Sequence, residues 1–281
     1  MPIKEISAEQ ITETVAALCI SANINADESI RHAICQARTA ETSKPAKNAL
    51  DMIIQNMKVA ETERMPMCQD TGMVVVFIGI GQNVHISGNI EAAINEGVRR
   101  GYKDGYFRAS VVKDPFAREN TKDNTPAVIH YTITSGDNIK ITVMPKGFGS
   151  ENKSALKMLT PSESADGVEQ FVIDTVKAAG SSPCPPIIVG IGVGGTMEKA
   201  AIMSKQALAL DILSENNDPY LADMERRLLQ KINALNIGAA GFKGTTTALG
   251  VKILTYPTHI AGLPVAVNIG CHVARHKSAI L

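Results

Sequence analysis

The spacing of apolar residues changes once along this chain, near residue 67, and that change constrains the fold more than any other feature. Before it, the period is helical. Ser7-Ala8-Glu9-Gln10 forms a capping box, with Ile6 and Ile11 placed as a hydrophobic staple across it. Ile11, Val15, Leu18 and Cys19 then fall on one helical face. A second helix is expected over 27–38, and a third carries Leu50, Ile53, Ile54 and Met57 as a single stripe. After residue 67 the pattern becomes mixed. Met73 to Ile78 is a β-branched run suited to a strand buried on both faces. A helix over 90–102 follows. Ile129, Tyr131 and Ile133 alternate before a Ser135-Gly136-Asp137-Asn138 turn, and Ile139, Ile141 and Val143 alternate after it, which predicts a hairpin. Further on, a strand is expected over 187–193, a helix over 196–213, and a strand over 246–256. Asp218-Pro219 supplies the cap and first position of another helix, running to about Leu235. The expected fold is mixed α/β. A helical N-terminal subdomain (1–65) precedes an α+β subdomain (66–281), with no repeat or linker between them.

Composition excludes several roles. Lys plus Arg equals Asp plus Glu at 28 each, so no charge excess points to nucleic acid or an anionic membrane. Aromatics are 4% of the chain and Trp is absent, so surfaces for base stacking are scarce. The longest apolar run, 187–195, is about half the roughly 20 residues of a membrane span. The N-terminus lacks the basic-then-apolar layout of a signal peptide, and a cytoplasmic protein is expected. In a reducing compartment the five cysteines are packers, ligands or reactive thiols rather than a disulfide framework.

Cys19 and Cys35 lie within amphipathic helices and read as small hydrophobes of the core. Cys68, Cys184 and Cys271 differ. Each stands in a Gly- or Pro-flanked turn beside an apolar, strand-like segment. No CxxC pattern exists, so spacing does not establish a metal site. The argument for one is chemical: thiolates on rigid turns beside peptide N–H groups suit an iron–sulfur cluster. Three thiolates on a cubane leave its fourth iron open to act as a Lewis acid.

Four segments in order carry a resemblance: Cys68-Gln69-Asp70-Thr71-Gly72; Gly149-Ser150-Glu151-Asn152-Lys153-Ser154; Cys184-Pro185-Pro186 with Gly190 to Thr196; and His259 to Cys271. The chain resembles the α region of class I fumarases and of L-tartrate dehydratase, from about residue 10 to the C-terminus. The resemblance implies that Cys68, Cys184 and Cys271 hold a [4Fe-4S] cluster. It implies that Gln69, Asp70, Arg108, Gly149 and His259 line a pocket for a C4 dicarboxylate. Asp70, two residues from a ligand cysteine, and His259 suit a proton relay. Arg108 suits a bidentate grip on a carboxylate, or is a surface arginine. Lys153 helps to bind an anion, or stands in the solvated first turn of a following helix. Single-chain members carry a further C-terminal domain, so a separate β subunit is expected to complete the site in an α2β2 heterotetramer. Fumarate hydration is expected ahead of L-tartrate dehydration.

Other motifs are weaker. Gly190 to Gly195 reads G-x-G-x-G-G, not a dinucleotide fingerprint, and suits a close backbone approach to cluster or substrate. Gly241 to Thr247 is loosely phosphate-like. His272 and His276 allow a zinc site with Cys271 or are surface residues, while His32, His85 and His130 carry no pattern. A non-catalytic zinc-binding scaffold and a nucleotide-binding protein are the alternatives of other classes.

Overall fold

The computed structural model describes residues 3–281. In chain order the elements are β1 (Lys4–Ser7), α1 (Ala8–Ile24), α2 (Glu28–Ala40), α3 (Lys44–Glu63), β2 (Met73–Gly81), β3 (Val84–Ser87), α4 (Ile90–Asp104), β4 (Val128–Thr134), β5 (Ile139–Lys146), α5 (Phe148–Glu151), β6 (Ala155–Leu159), α6 (Ser164–Ala179), β7 (Ile187–Gly194), α7 (Met197–Ala207), α8 (Pro219–Asn233), β8 (Ala248–Tyr256), β9 (Leu263–Gly270) and β10 (Lys277–Ile280). The fold is mixed α/β with helices leading, as the periods predict. Among the described residues no helix is long and apolar enough to cross a membrane.

Two compact units interleave along the chain. Unit 1 takes the described residues up to Ala26, together with Asn56–Phe148 and Arg275–Leu281; unit 2 takes Asp27–Gln55 and Gly149–Ala274. The expected 65/66 division marks the change of apolar period, whereas each compact unit gathers several stretches.

In unit 1, α1 starts where the sequence says. The Ser7 side chain accepts from Gln10 N, and the Gln10 side chain reaches back to the Ser7 N–H, a reciprocal cap whose Ser→Ala loss typically costs about 1 kcal/mol. The apolar face of α1 meets α4 at two glycines. A Cβ on Gly97 would lie 2.7 Å from the Thr12 carbonyl oxygen, and one on Gly101 would lie 2.8 Å from that of Ala16. Ile11, Val15, Ile94 and Val98 from these helices share a core with Val74, Val76 and Ile78 of β2 and with Ile139, Ile141 and Val143 of β5.

The four-stranded sheet corrects the hairpin expectation. Its order is β10-β5-β2-β4, so β4 and β5 are not neighbours. β2 lies between them, parallel to β4 (Phe77 opposite His130) and antiparallel to β5 (Val76 opposite Val143). Period-two alternation states which face is buried and leaves the neighbour undetermined. The β-branched β2, apolar on both sides, takes the interior position, and β4 is left as an exposed edge.

Unit 2 is layered around the sheet β6-β9-β7-β8. Val189 and Ile191 of β7 face a core with Val172 and Val176 of α6 and Leu228 and Ile232 of α8. The alternate residues, Gly190 and Gly192, lie under α7: a Cβ on either would come within 2.2 Å and 2.1 Å of the Ser204 and Ala200 carbonyl oxygens, respectively. Gly190 and Gly192 therefore admit a helix, and the expected approach to a cluster or substrate is not what occupies these two. α7 ends at Ala207 rather than 213; Leu208, Ala209 and Leu210 N bond three residues back in tighter turns, and the Asp211 side chain then accepts from Leu213 N. The Asp218 side chain caps α8 at Tyr220 N, with Pro219 at the first helical position.

Candidate functional site

The Cys68 segment of unit 1 is a loop leading into β2, braced residue by residue. Met67 N donates to the Asn23 carbonyl oxygen (3.0 Å), and Asn56 Nδ2 donates to the Met67 carbonyl oxygen (2.8 Å). The buried Tyr102 hydroxyl donates to the Thr71 carbonyl oxygen at 2.5 Å. Burial pushes its phenol well above the ordinary range and keeps it a donor. Gly72 has φ +77°, and a Cβ there would lie 2.8 Å from the Lys146 backbone, so the loop passes where only glycine fits.

Within this frame the Asp70 carboxylate is held by two main-chain donors, Gly72 N to Oδ1 (3.0 Å) and Phe148 N to Oδ2 (2.9 Å). Asp70 remains partly exposed, and Gln69 is exposed. Thr71 Oγ1 donates to the Arg108 carbonyl oxygen at 2.8 Å, which anchors the Arg108 backbone to the same loop while its residue stays exposed. Unit 1 thus gathers Cys68, Gln69, Asp70 and Arg108.

Unit 2 gathers another set at one end of its sheet. Ile188 of β7 pairs with Gly270 of β9, so the loop before β7 and the residue after β9 emerge together. His272 ties them: its Nδ1 lies 2.9 Å from the Cys184 carbonyl oxygen, and its N–H points to the same oxygen at 3.4 Å. Cys184 itself sits at φ +55°, uncommon for a residue with a side chain, and is exposed. The Gly149 segment joins this end. Ile269 N donates to Ser154 Oγ (3.1 Å), Asn268 Nδ2 to Glu151 Oε2 (3.3 Å), and Lys205 pairs with Glu151. A Cβ on Gly149 would meet nothing nearer than the Ser182 carbonyl oxygen at 3.9 Å, so this glycine borders open space. Lys153 precedes β6, not a helix, which removes the helix-start reading.

His259 is not at that end. It follows β8, whose Tyr256 pairs with Gly194 at the far end of β7, and strands of eight residues separate it from Cys184 and Cys271; at about 3.3 Å per residue this is roughly 25 Å. It is exposed and lines an apolar cavity of about 430 Å³ with Val168, Val193, Tyr220, Met224 and Ile253.

The expected ligand set is divided, with Cys68 in unit 1 and Cys184 and Cys271 in unit 2. Within either unit, among the described residues, no three His, Cys, Asp or Glu side chains gather as a metal site. Cys19 is fully buried and its thiol is pushed up by burial, as a packing residue requires. Cys35 is exposed, contrary to expectation: Ile30, Ala33, Ile34 and Ala37 take the buried stripe of α2, and Cys35 lies off it.

Sequence reasoning missed the tie made by His272. It also missed what fills the phosphate-like loop. There Glu41, 2% exposed, accepts from Thr42 N (2.8 Å), Ser43 N (2.9 Å), Thr245 N (2.9 Å) and Thr245 Oγ1 (3.2 Å). The anion in that cradle is the chain's own carboxylate.

Residues 12–280 match the model of the family described as fumarate hydratase (Fumerase). A Methanocaldococcus jannaschii protein named "Putative L(+)-tartrate dehydratase subunit alpha" is 42% identical over 273 residues, covering 95% of each chain. The L(+)-tartrate dehydratase subunit alpha of Escherichia coli (strain UTI89 / UPEC) is 30% identical over 276 residues, covering 97% of this chain and 91% of its own. That of Escherichia coli (strain K12) is 29% identical over 282 residues, covering 99% and 93%. Taken with the braced cysteine loops, these relationships make the protein a hydro-lyase. The chain belongs to the fumarate hydratase (Fumerase) family.

Proposed function

We infer that this chain is the cluster-bearing α subunit of a cytoplasmic iron–sulfur hydro-lyase that interconverts fumarate and (S)-malate by reversible hydration. A separate β subunit completes the active site in a heterotetramer. The relatives' designation as subunit alpha supports the partner chain. The observation that carries the reading is the His272 tie, which sets the Cys184 and Cys271 loops side by side at one end of a sheet.

The donors suit a [4Fe-4S] cluster. His272, next to Cys271, ties to the Cys184 carbonyl oxygen, Cys184 N donates to the Ser181 carbonyl oxygen, and Cys184 holds a backbone conformation that costs about 1 kcal/mol or more without glycine, as is common where side-chain direction matters. Cys68, Cys184 and Cys271 would hold the cluster, which supplies Lewis-acid chemistry toward a substrate oxygen when bound.

The remaining work falls to this chain's side chains. Asp70, oriented by the Phe148 and Gly72 N–H groups and still open to solvent, holds the proton exchanged at the substrate hydroxyl. Arg108 grips a substrate carboxylate with two parallel hydrogen bonds, its backbone fixed by Thr71. Gln69 adds an amide to the same pocket, and Gly149 leaves room for the C4 diacid beside the Cys184 loop. The proton role rests on Asp70, since His259 stands at the other end of the unit 2 sheet from Cys184 and Cys271.

The relatives' names favour a second reading, L-tartrate dehydration by the same groups. The test is anaerobic co-expression with the β partner and assay of fumarate, malate and L-tartrate. Faster turnover of fumarate than of L-tartrate is expected. The reverse order transfers the assignment to tartrate, and no turnover of either by a fully loaded complex overturns both.

A further inference from the structure

Arg275 is 5% exposed although it carries a fixed charge. Its Nη1 donates to the Asp70 carbonyl oxygen at 2.6 Å and to Asn23 Oδ1 at 3.2 Å. Its Nε is buried and has no acceptor among the described residues. A buried guanidinium with a donor unspent is a costly way to fill space, and an apolar side chain would fill it more cheaply. What the charge provides here is a strong, directed grip on one peptide carbonyl.

That peptide belongs to Asp70, which is consequently held at both ends. Arg275 fixes the carbonyl; the Phe148 and Gly72 N–H groups fix the two carboxylate oxygens. Gly147 lies against both partners. A Cβ there would be 3.0 Å from Asp70 Oδ2 and 3.1 Å from Arg275 Nη2, so a side chain would press on the pair.

We propose that Arg275 is the positioning residue of Asp70: it locks the Asp70 peptide so that the carboxylate is presented in a single orientation. It acts through Asp70 and not on the substrate, and the proposal rests on Asp70 as the proton-handling group.

The test uses the complex with the β partner and the variants Arg275→Met, Arg275→Lys and Gly147→Ala. In Arg275→Met, kcat falls by about 100-fold while KM stays within about two-fold, the pattern of a misplaced reacting group. Iron and sulfide content is unchanged. Amide hydrogen exchange at Gly72 and Phe148, whose N–H groups lose their acceptor, accelerates at least ~10-fold, while exchange at Val74 to Ile78 of β2 holds. Arg275→Lys keeps a charged donor and recovers part of both effects. Gly147→Ala, which retains the charge and so guards against a Met variant that fails to fold, gives the same local pattern at smaller size.

Unchanged exchange at Gly72 and Phe148, or equal acceleration throughout β2, overturns the proposal. So does a Met variant with wild-type kcat in an active complex. If the wild-type complex turns over neither fumarate nor tartrate, the reading of Asp70 fails instead. The exchange measurement still decides whether Arg275 sets the orientation of that residue.

Discussion

Asp70 in unit 1 and Glu41 in unit 2 are both carboxylates gripped by main-chain N–H groups, yet Glu41 is 2% exposed while Asp70 stands partly in solvent. Glu41 accepts four hydrogen bonds, two on each oxygen: from the N–H groups of Thr42 and Ser43, which follow it, and from the N–H and hydroxyl of Thr245. A carboxylate offers about four lone-pair positions, so Glu41 has none left and serves as a bolt joining residues 41–43 to the 244–247 turn. Asp70 accepts one N–H on each oxygen and keeps the rest of its capacity. The same grip that makes one acid structural leaves the other oriented and available. Saturation separates the two roles, and proximity to N–H groups does not.

The comparison breaks most decisively at Asp70. Asp70→Asn is expected to lower kcat about 10²–10⁴-fold, with the thermal midpoint changed little because one amide oxygen still accepts. An active Asn variant would place the proton chemistry elsewhere. Glu41→Ala should do the reverse. It strands four donors, two of them on Thr245, and is expected to cost about 2–4 kcal/mol in denaturant unfolding while leaving turnover per folded molecule intact.

The charge on Glu41 adds a pH signature. Burial raises its pKa, but the N–H groups of Ser43 and Thr42 and the Thr245 hydroxyl and N–H more than offset this and hold it below the ordinary carboxylate range. A depressed folded-state pKa stabilises the protein above the unfolded value of about 4.3, and that contribution is lost as pH falls through the folded value. The stability gap between wild type and Glu41→Gln should therefore narrow on acidification below about pH 4.3, in urea titrations run at several pH values. A gap that widens contradicts the bolt.

Smaller effects sharpen the picture. Gly244 has φ +152°, and a Cβ there would lie 2.6 Å from Glu41 Oε2. Gly244→Ala is expected to cost about 1–2 kcal/mol by calorimetry, through strain on the turn that Glu41 fills. Cys35→Ser, on the solvent side of α2, should stay within about 0.5 kcal/mol of wild type.

The features read correctly in sequence are local ones. The capping box at Ser7 and Gln10 and the Asp218-Pro219 start of α8 involve partners within three residues. The hairpin failed because alternation in β4 and β5 was compatible with any neighbour, and β2, from farther back in the chain, lies between them. Cys68, Cys184 and Cys271 stood out through their turns and through resemblance, not through spacing. Arg275 and Glu41 gave no signal. The partners that bury them, Asp70 for Arg275 and Thr245 for Glu41, lie 205 and 204 residues away, and a lone Arg or Glu between ordinary neighbours looks like surface until the fold buries it. His272 was visible as a neighbour of Cys271, but its bond spans 88 residues, and only the β7–β9 register brings its acceptor near.

The most direct measurement is iron and acid-labile sulfide per α chain, determined anaerobically on the complex with its β partner for wild type and for the single Ser variants of Cys68, Cys184 and Cys271. About four of each per wild-type chain, with cluster content and turnover collapsing together in all three variants, is the predicted result. A Cys184→Ser protein that retains its full iron, sulfide and activity would contradict it.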